Sequence, residues 1–318
     1  SILNEKIKIS KEIEKLKKFK QKELTKKQQN TYMVLMDYLR RQKNLSMYPY
    51  YERILGKTSG QQAQILLRLS EYGLKNEKDI KSYFQLLKGL DGYFDSLIEY
   101  SKEQVKRNLF LSDQSLKEVL QQIQNVIKQK ENNMLVATFN LRIADIKGIN
   151  AAQKKKYCRE NKKLIGTKVL PAYEKLYSHL QALNGNGKNE NGLYYYKNGK
   201  EYYKVLVAQK TGSDKTIEEM IEISDRSIEK CLRKLIKLQK KYPNIINEYR
   251  NHKKNIKIVQ NPQNILNKLR QKMVKYYPKA PKVSCKIKYV HKTMEEYTSP
   301  AFYMVPEIDS YKENVIYI

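Results

Sequence analysis

Thr216-Ile-Glu-Glu-Met-Ile-Glu-Ile-Ser-Asp-Arg-Ser-Ile-Glu-Lys-Cys-Leu-Arg-Lys-Leu-Ile-Lys-Leu238 decides the fold class. Thr216 followed by Glu219 is a capping box: the hydroxyl can accept from the third helical N–H while the carboxylate reaches back to the cap. Beyond it Ile217, Met220, Ile221, Ser224, Ile228, Cys231, Leu232, Leu235 and Leu238 recur at intervals of three and four. That period belongs to one side of an α-helix and predicts a buried stripe.

The same rhythm runs through the rest of the chain. Residues 1–44 read as polar helices with sparse apolar positions at Tyr32, Leu35, Met36 and Leu39. Pro49 makes Met47–Tyr51 an extended aromatic stretch. Thr58-Ser-Gly-Gln61 predicts a capped helix over 62–72. Asn76 caps one beginning near Glu77, with Leu86, Leu87, Leu90, Tyr93, Phe94, Leu97 and Ile98 on one face. Ser115-Leu-Lys-Glu118 caps a helix with Leu116, Val119, Leu120, Ile123, Val126 and Ile127 inward. A further helix spans about 164–183, started or kinked by Pro171.

Two regions break the pattern. Asn184–Gly192 is a polar Gly/Asn loop. The Asn198-Gly199 dipeptide after it permits a hairpin, but Glu201–Gln209 followed by Gly212 is better read as a helix with a glycine end. Near the C-terminus, Val283–Val290 alternates with period two, which argues for a strand. Residues 301–305 and 314–318 read as two more. The expected fold is therefore mainly α, a helical array with a small C-terminal β-sheet. It forms one domain over 1–318, with 1–135 and 136–318 as the alternative division.

Composition agrees with this. Gly (12) and Pro (8) are scarce among 318 residues, which disfavours many short strands and tight turns. No apolar run reaches the roughly 18 to 20 residues that cross a bilayer. The 63 Lys and Arg outnumber 33 Asp and Glu, giving +30. Coding bias raises Lys together with Asn, Ile and Tyr, but it would raise Glu as well, so a basic excess remains. Such an excess suits nucleic acid, anionic lipid or an acidic cell wall. No RNA-binding or zinc-finger pattern accompanies it, so no specific nucleic acid partner is expected.

Known catalytic signatures are missing from the sequence. His179, His252 and His291 sit in no HExxH. Cys158, Cys231 and Cys285 are far apart, with no CxxC, so no metal is expected within this chain. There is no GxSxG elbow and no phosphate-binding glycine loop. The adjacent carboxylates Glu218/Glu219 and Glu295/Glu296 point apart on a helix and make no catalytic pair.

Three groups of segments, in order, resemble the bacterial domain-of-unknown-function family 885. The first is Tyr50-Tyr-Glu-Arg-Ile-Leu-Gly56 with Gly60-Gln-Gln62, continuing through Asp79–Tyr83 and Leu86-Leu87. The second is Leu170-Pro-Ala-Tyr173 with Gly192–Tyr195, Gly199-Lys-Glu-Tyr-Tyr203 and Thr211–Glu219. The third is Ser299-Pro-Ala-Phe-Tyr-Met-Val-Pro306, then Asp309 and Asn314-Val-Ile-Tyr317. The resemblance implies a partial gluzincin-like helical peptidase scaffold. It further implies that an HExxH zinc helix follows Tyr317 in the longer protein, so that 1–318 is scaffold and one wall of the cleft. Zinc, a Glu general base and a peptide substrate would belong to that full-length protein. The expected location is extracellular or at the cell surface, lipoprotein-like, with the cytoplasm as the alternative.

Within this chain the resemblance and the strand pattern nominate substrate-binding residues and no catalytic ones. Asn314 to Ile318 is expected to form an edge strand that pairs with extended peptide, or the neighbour of one. Tyr303 could bring a phenol near a developing oxyanion, although a core aromatic with its hydroxyl satisfied is the plainer reading. Tyr317 is a weaker nominee. The rival function is a non-enzymatic helical binding module at an anionic cell surface, associating peripherally with membrane or wall.

Overall fold

Side-chain caps and glycines cut the first 214 residues into a succession of short helices. The computed structural model describes residues 2–57, 59–187, 192–255, 261–278, 283–290, 301–306 and 313–318. Thr58, His291, Glu295, Glu296, Ser299, Asp309 and the His252 side chain lie outside the described parts. The chain divides into two compact units, Ser1–Asp214 and Lys215–Ile318.

The first unit runs α1 (Ile2–Lys17), α2 (Lys26–Leu45), α3 (Gln61–Ser70), α4 (Glu77–Lys88), α5 (Leu90–Lys106), α6 (Asp113–Lys128), α7 (Met134–Ala144), α8 (Ala151–Leu164), α9 (Leu170–Gln181) and α10 (Gly199–Thr211). Capping boxes start α2 at Thr25, α4 at Asn76 and α8 at Asn150. In each, a side-chain oxygen accepts one of the orphan N–H groups of the first turn.

Helix α6 packs on α9, α9 on α5, α3 on α7 and α4 on α8. Between them lies an aromatic core. The Tyr83 and Phe139 rings stack with centroids 5.4 Å apart, and Phe94 meets Tyr173 edge-on at 4.7 Å. Burial of these rings, with the aliphatic side chains around them, stabilises the unit.

Several boundaries differ from the sequence reading. The cap of α3 is Gly60, and Thr58 of the expected box lies outside the described residues. A Cβ on Gly60 would fall 2.3 Å from the Gly56 nitrogen, so the two backbones approach more closely than any side chain allows. Ser112 rather than Ser115 caps α6, and the Ser112 hydroxyl donates to Ser115 Oγ at 3.0 Å. The helix read from Glu77 onward divides at Gly89. Leu86 is left exposed while Leu87, Leu90 and Phe94 are buried. Met47–Tyr51 is a turn and not an extended run: Tyr50 takes φ +70°, and Gln104 Nε2 donates to the carbonyls of Tyr50 (2.8 Å) and Glu52 (3.0 Å).

Other expectations hold. Pro171 lies at the start of α9, just after a wide π turn at Ile165–Val169; proline lacks an N–H and crowds the carbonyl four residues back. Residues 199–211 are helical, and the helix ends on Gly212 at φ +64°.

The second unit contains α11 (Ile217–Lys241), α12 (Ile245–Asn255) and α13 (Pro262–Met273), then β1 (Ser284–Lys288), β2 (Phe302–Met304) and β3 (Glu313–Tyr317). Thr216 and Glu219 make the predicted capping box on α11. The predicted buried stripe is not buried: no described residue of α11 is, and Ile228 and Leu235 keep 57% and 60% of their surface open. Periodicity selected the helix and its apolar side correctly, but nothing described covers that side.

The strands form one sheet in the order β1-β3-β2, with β1 and β3 parallel and β2 antiparallel to β3. A helical array ending in a small C-terminal sheet is the architecture that the sequence predicted.

Candidate functional site

Strand alternation sorts the nominated residues. Side chains two apart on a strand share a face, and residues directly opposite across a ladder share it too. Tyr303 lies opposite Ile316, and Asn314 lies opposite Cys285. Tyr303, Asn314, Ile316, Cys285 and Ile287 therefore occupy one face. Tyr317, opposite Phe302, lies on the other.

On the first face a hydrogen-bonded bridge crosses the sheet. The half-exposed Tyr303 hydroxyl donates to Asn314 Oδ1, and Asn314 Nδ2 donates to the Ser284 carbonyl at 3.3 Å. One side chain from the central strand thus ties β2 to β1. Asn314 is 9% exposed and Tyr303 52%, so the bridge has a buried anchor and an open phenol end. On the other face Tyr317 is buried and its ring stacks flat on Phe302, centroids 5.0 Å apart. Lys288 Nζ stands 6.0 Å from the Tyr317 ring centre.

β3 is the inner strand, hence the neighbour of an edge and not the edge. Among the described residues β1 and β2 form the two edges, and neither pairs with a further strand. An edge strand offers a row of main-chain donors and acceptors to an extended peptide.

The described residues offer no site for the zinc that the family resemblance assigns to the full-length protein. Among the described residues no group of three or more His, Cys, Asp or Glu side chains could hold a metal ion. His179, on α9, is exposed and its Nδ1 donates to the Lys175 carbonyl at 2.9 Å. Cys158, Cys231 and Cys285 are free thiols, and burial pushes the Cys158 thiol up.

Two constellations in the first unit went unread in the sequence. Gln62 is buried at the start of α3; its Nε2 donates to the Gly56 carbonyl at 2.6 Å and to Gln122 Oε1 at 2.7 Å. Gln122 Nε2 in turn donates to the Lys57 carbonyl at 2.9 Å. The Tyr173 hydroxyl donates to the Gln62 carbonyl at 2.7 Å. Segments 50–56, 60–62 and 170–173 are therefore joined through one buried polar network.

The second constellation gathers tyrosines. The Tyr51 ring lies 4.9 Å from that of Tyr202 and 5.8 Å from that of Tyr196, and the Tyr51 hydroxyl donates to the Lys197 carbonyl. Tyr196 donates to the Leu109 carbonyl at 2.7 Å. Burial, and then the charge of Glu52, push the Tyr202 phenol up to about 12. Burial raises Tyr51 and Tyr100 as well. These phenols stay protonated and act as packing and hydrogen-bonding groups. The signal was in the sequence as paired Tyr-Tyr steps at 50–51 and 202–203, but their meeting depends on contacts some 150 residues apart.

Residues 4–318 match the family model described as bacterial protein of unknown function, DUF885. The chain belongs to the DUF885 family. No curated protein matches it. Among solved structures, this DUF885 chain resembles a candidate lipoprotein from Colwellia psychrerythraea, with a TM-score of 0.78 at 15% sequence identity. The likeness covers 98% of this chain and 58% of that one. At that identity it establishes the fold. The DUF885 chain thus spans little more than half the length of the structure it matches. No described helix is long and apolar enough to cross a membrane.

Proposed function

We propose that residues 1–318 form the scaffold and the peptide-binding wall of a zinc-dependent peptidase of the cell surface. The observation that carries this reading is the small sheet, whose two outer strands meet no further described strand. Across it runs the Tyr303–Asn314–Ser284 bridge.

An extended peptide lying along the edge strand β2 would gain main-chain hydrogen bonds, which hold any sequence in register. Tyr303 stands on that strand with an open phenol, and Asn314 fixes its direction. The ring of Tyr317 supports the same strand from behind through Phe302. The described residues supply binding and orientation; the metal belongs to residues other than these. A lipoprotein-like location agrees with the description of the Colwellia psychrerythraea protein.

The test is hydrolysis of a quenched fluorescent peptide library by the product of the complete reading frame, with and without a zinc chelator. Activity that the chelator removes and zinc restores supports the proposal. In that protein Tyr303→Phe should lower kcat roughly tenfold or more while leaving KM within about twofold, as expected when the phenol turns its one proton from Asn314 Oδ1 to the developing oxyanion. Absence of chelator-sensitive hydrolysis across the library overturns the peptidase reading.

A further inference from the structure

Positive charge is distributed unevenly along this chain. Between Lys230 and Met294 there are nineteen Lys and Arg and a single acid, Glu248. That fifth of the sequence carries eighteen of the +30 charges. Its first twelve residues, 230–241, form the second half of α11 and hold Lys230, Arg233, Lys234, Lys237, Lys240 and Lys241. At the helical rise they place six cations along about 18 Å.

The same half-helix shows an uncovered aliphatic side. Ile228, Leu232, Leu235 and Leu238 follow one another at intervals of three and four and so share a side, and each leaves about half of its surface or more open. Lys230, Arg233, Lys237 and Lys240 fall on the opposite side, and Lys234 and Lys241 flank the boundary. The pattern recurs nearby. α12 exposes Ile246 and Tyr249, and α13 exposes Ile265, Leu269 and Met273. Tyr242 and Tyr276 are exposed beside Lys241 and Lys275, whose ammonium groups lie 5.3 and 5.6 Å from the ring centres.

We propose that the second unit docks on an anionic lipid bilayer, with the apolar side of α11 in the headgroup layer and its lysines on the lipid phosphates. Charge complementarity selects the bilayer: a run of nineteen cations to one acid needs a dense polyanion. The aliphatic side selects lipid over nucleic acid, because phosphate backbones give Leu232, Leu235 and Leu238 nothing to enter, whereas an interfacial helix buries such residues among acyl chains. The exposed tyrosines suit the same boundary, where one end of the ring is apolar and the other wet. This docking surface involves neither the Tyr303–Asn314 bridge nor peptide hydrolysis.

The experiment is flotation of the 318-residue protein with vesicles of phosphatidylglycerol and phosphatidylcholine, or of phosphatidylcholine alone, at physiological salt. Binding is expected to the first and not to the second. The combined Lys230→Gln, Lys234→Gln, Lys237→Gln and Lys240→Gln variant should weaken it more than about a hundredfold, at roughly fivefold per cation removed. Leu232→Ser with Leu235→Ser should weaken it about tenfold, through loss of buried apolar area. All six positions are exposed, so the circular dichroism of both variants should match the parent. Failure to bind phosphatidylglycerol vesicles overturns the proposal. So does binding that the two leucine substitutions leave unchanged and that single-stranded DNA competes away, which would make the surface a general polyanion site. A doubling of mass with concentration, abolished by the leucine substitutions, would assign the face to a second copy instead.

Discussion

Helices α6 and α11 start alike and end in different environments. Each opens on a hydroxyl cap, Ser112 or Thr216, and each carries aliphatic residues at intervals of three and four. Leu116, Val119, Ile123 and Val126 of α6 are buried, and the helix packs on α9. Ile221, Ile228, Leu232, Leu235 and Leu238 of α11 remain exposed. An amphipathic pattern specifies a helix that can bury one side. Whether anything covers that side depends on residues far away in sequence, or on another molecule.

The sharpest break of this contrast is a pair of truncations. Phe139→Ala, in the stacked core of the first unit, should cost about 3–5 kcal/mol, from lost burial and the cavity left behind. Leu235→Ala, in the open side of α11, should stay within about 0.5 kcal/mol. Urea unfolding of each variant measures both values. A cost above about 2 kcal/mol for Leu235→Ala would mean that the side is covered in solution, since burial alone gives such a loss.

Alkaline pH probes the packed unit again. Burial pushes the Tyr83 phenol up to about 12, with Arg142 opposing the shift. The folded state thus holds a proton that the unfolded chain releases near pH 10. The resulting stability is complete below about pH 10 and is lost as pH rises through about 12. It amounts to about 3 kcal/mol. Phenolate absorbance and helix content should change together over that window. Tyr83→Phe should remove its share of the alkaline loss and leave the part due to the other buried phenols.

Gly60→Ala should cost about 2 kcal/mol, because its Cβ meets Gly56 backbone atoms that cannot rotate away. Gly92→Ala serves as its control, since a Cβ there meets nothing within 4 Å. It should be neutral or slightly stabilising. The smallest effect belongs to the α11 cap. Thr216→Ala removes the acceptor for the Glu219 N–H and should cost about 1 kcal/mol of local helix stability. It should be visible as faster amide exchange in the first turn of α11, with no change in the first unit.

Much of the fold was legible because it is local. Asn76, Thr216 and Gly212 mark helix ends through bonds or backbone angles that involve only their near neighbours. The first strand was legible from its period-two alternation, and the two shorter ones were read at 301–305 and 314–318. Two of the nominated residues, Tyr303 and Asn314, do meet. Less local features were misread. Ser115 carries the right letters for a cap, but the Ser112 hydroxyl accepts the Ser115 N–H and starts the helix three residues earlier. Met47–Tyr51 contains a proline that suggests extension, yet Gln104, more than fifty residues on, turns it. The role of Gln62 depends on Gln122 and Tyr173, which no spacing rule could have paired with it.

By itself the sequence determined the helical class, most helix and strand positions, the cationic run from Lys230 to Met294 and the family. Those features arise from φ and ψ preferences, caps and composition, all of which act within a few residues. Tertiary structure alone decided which apolar stripes became core and which stayed open. It also set Tyr303 and Asn314 on one face of the sheet and Tyr317 on the other, because opposition across a ladder depends on register between strands and on no property of either strand alone.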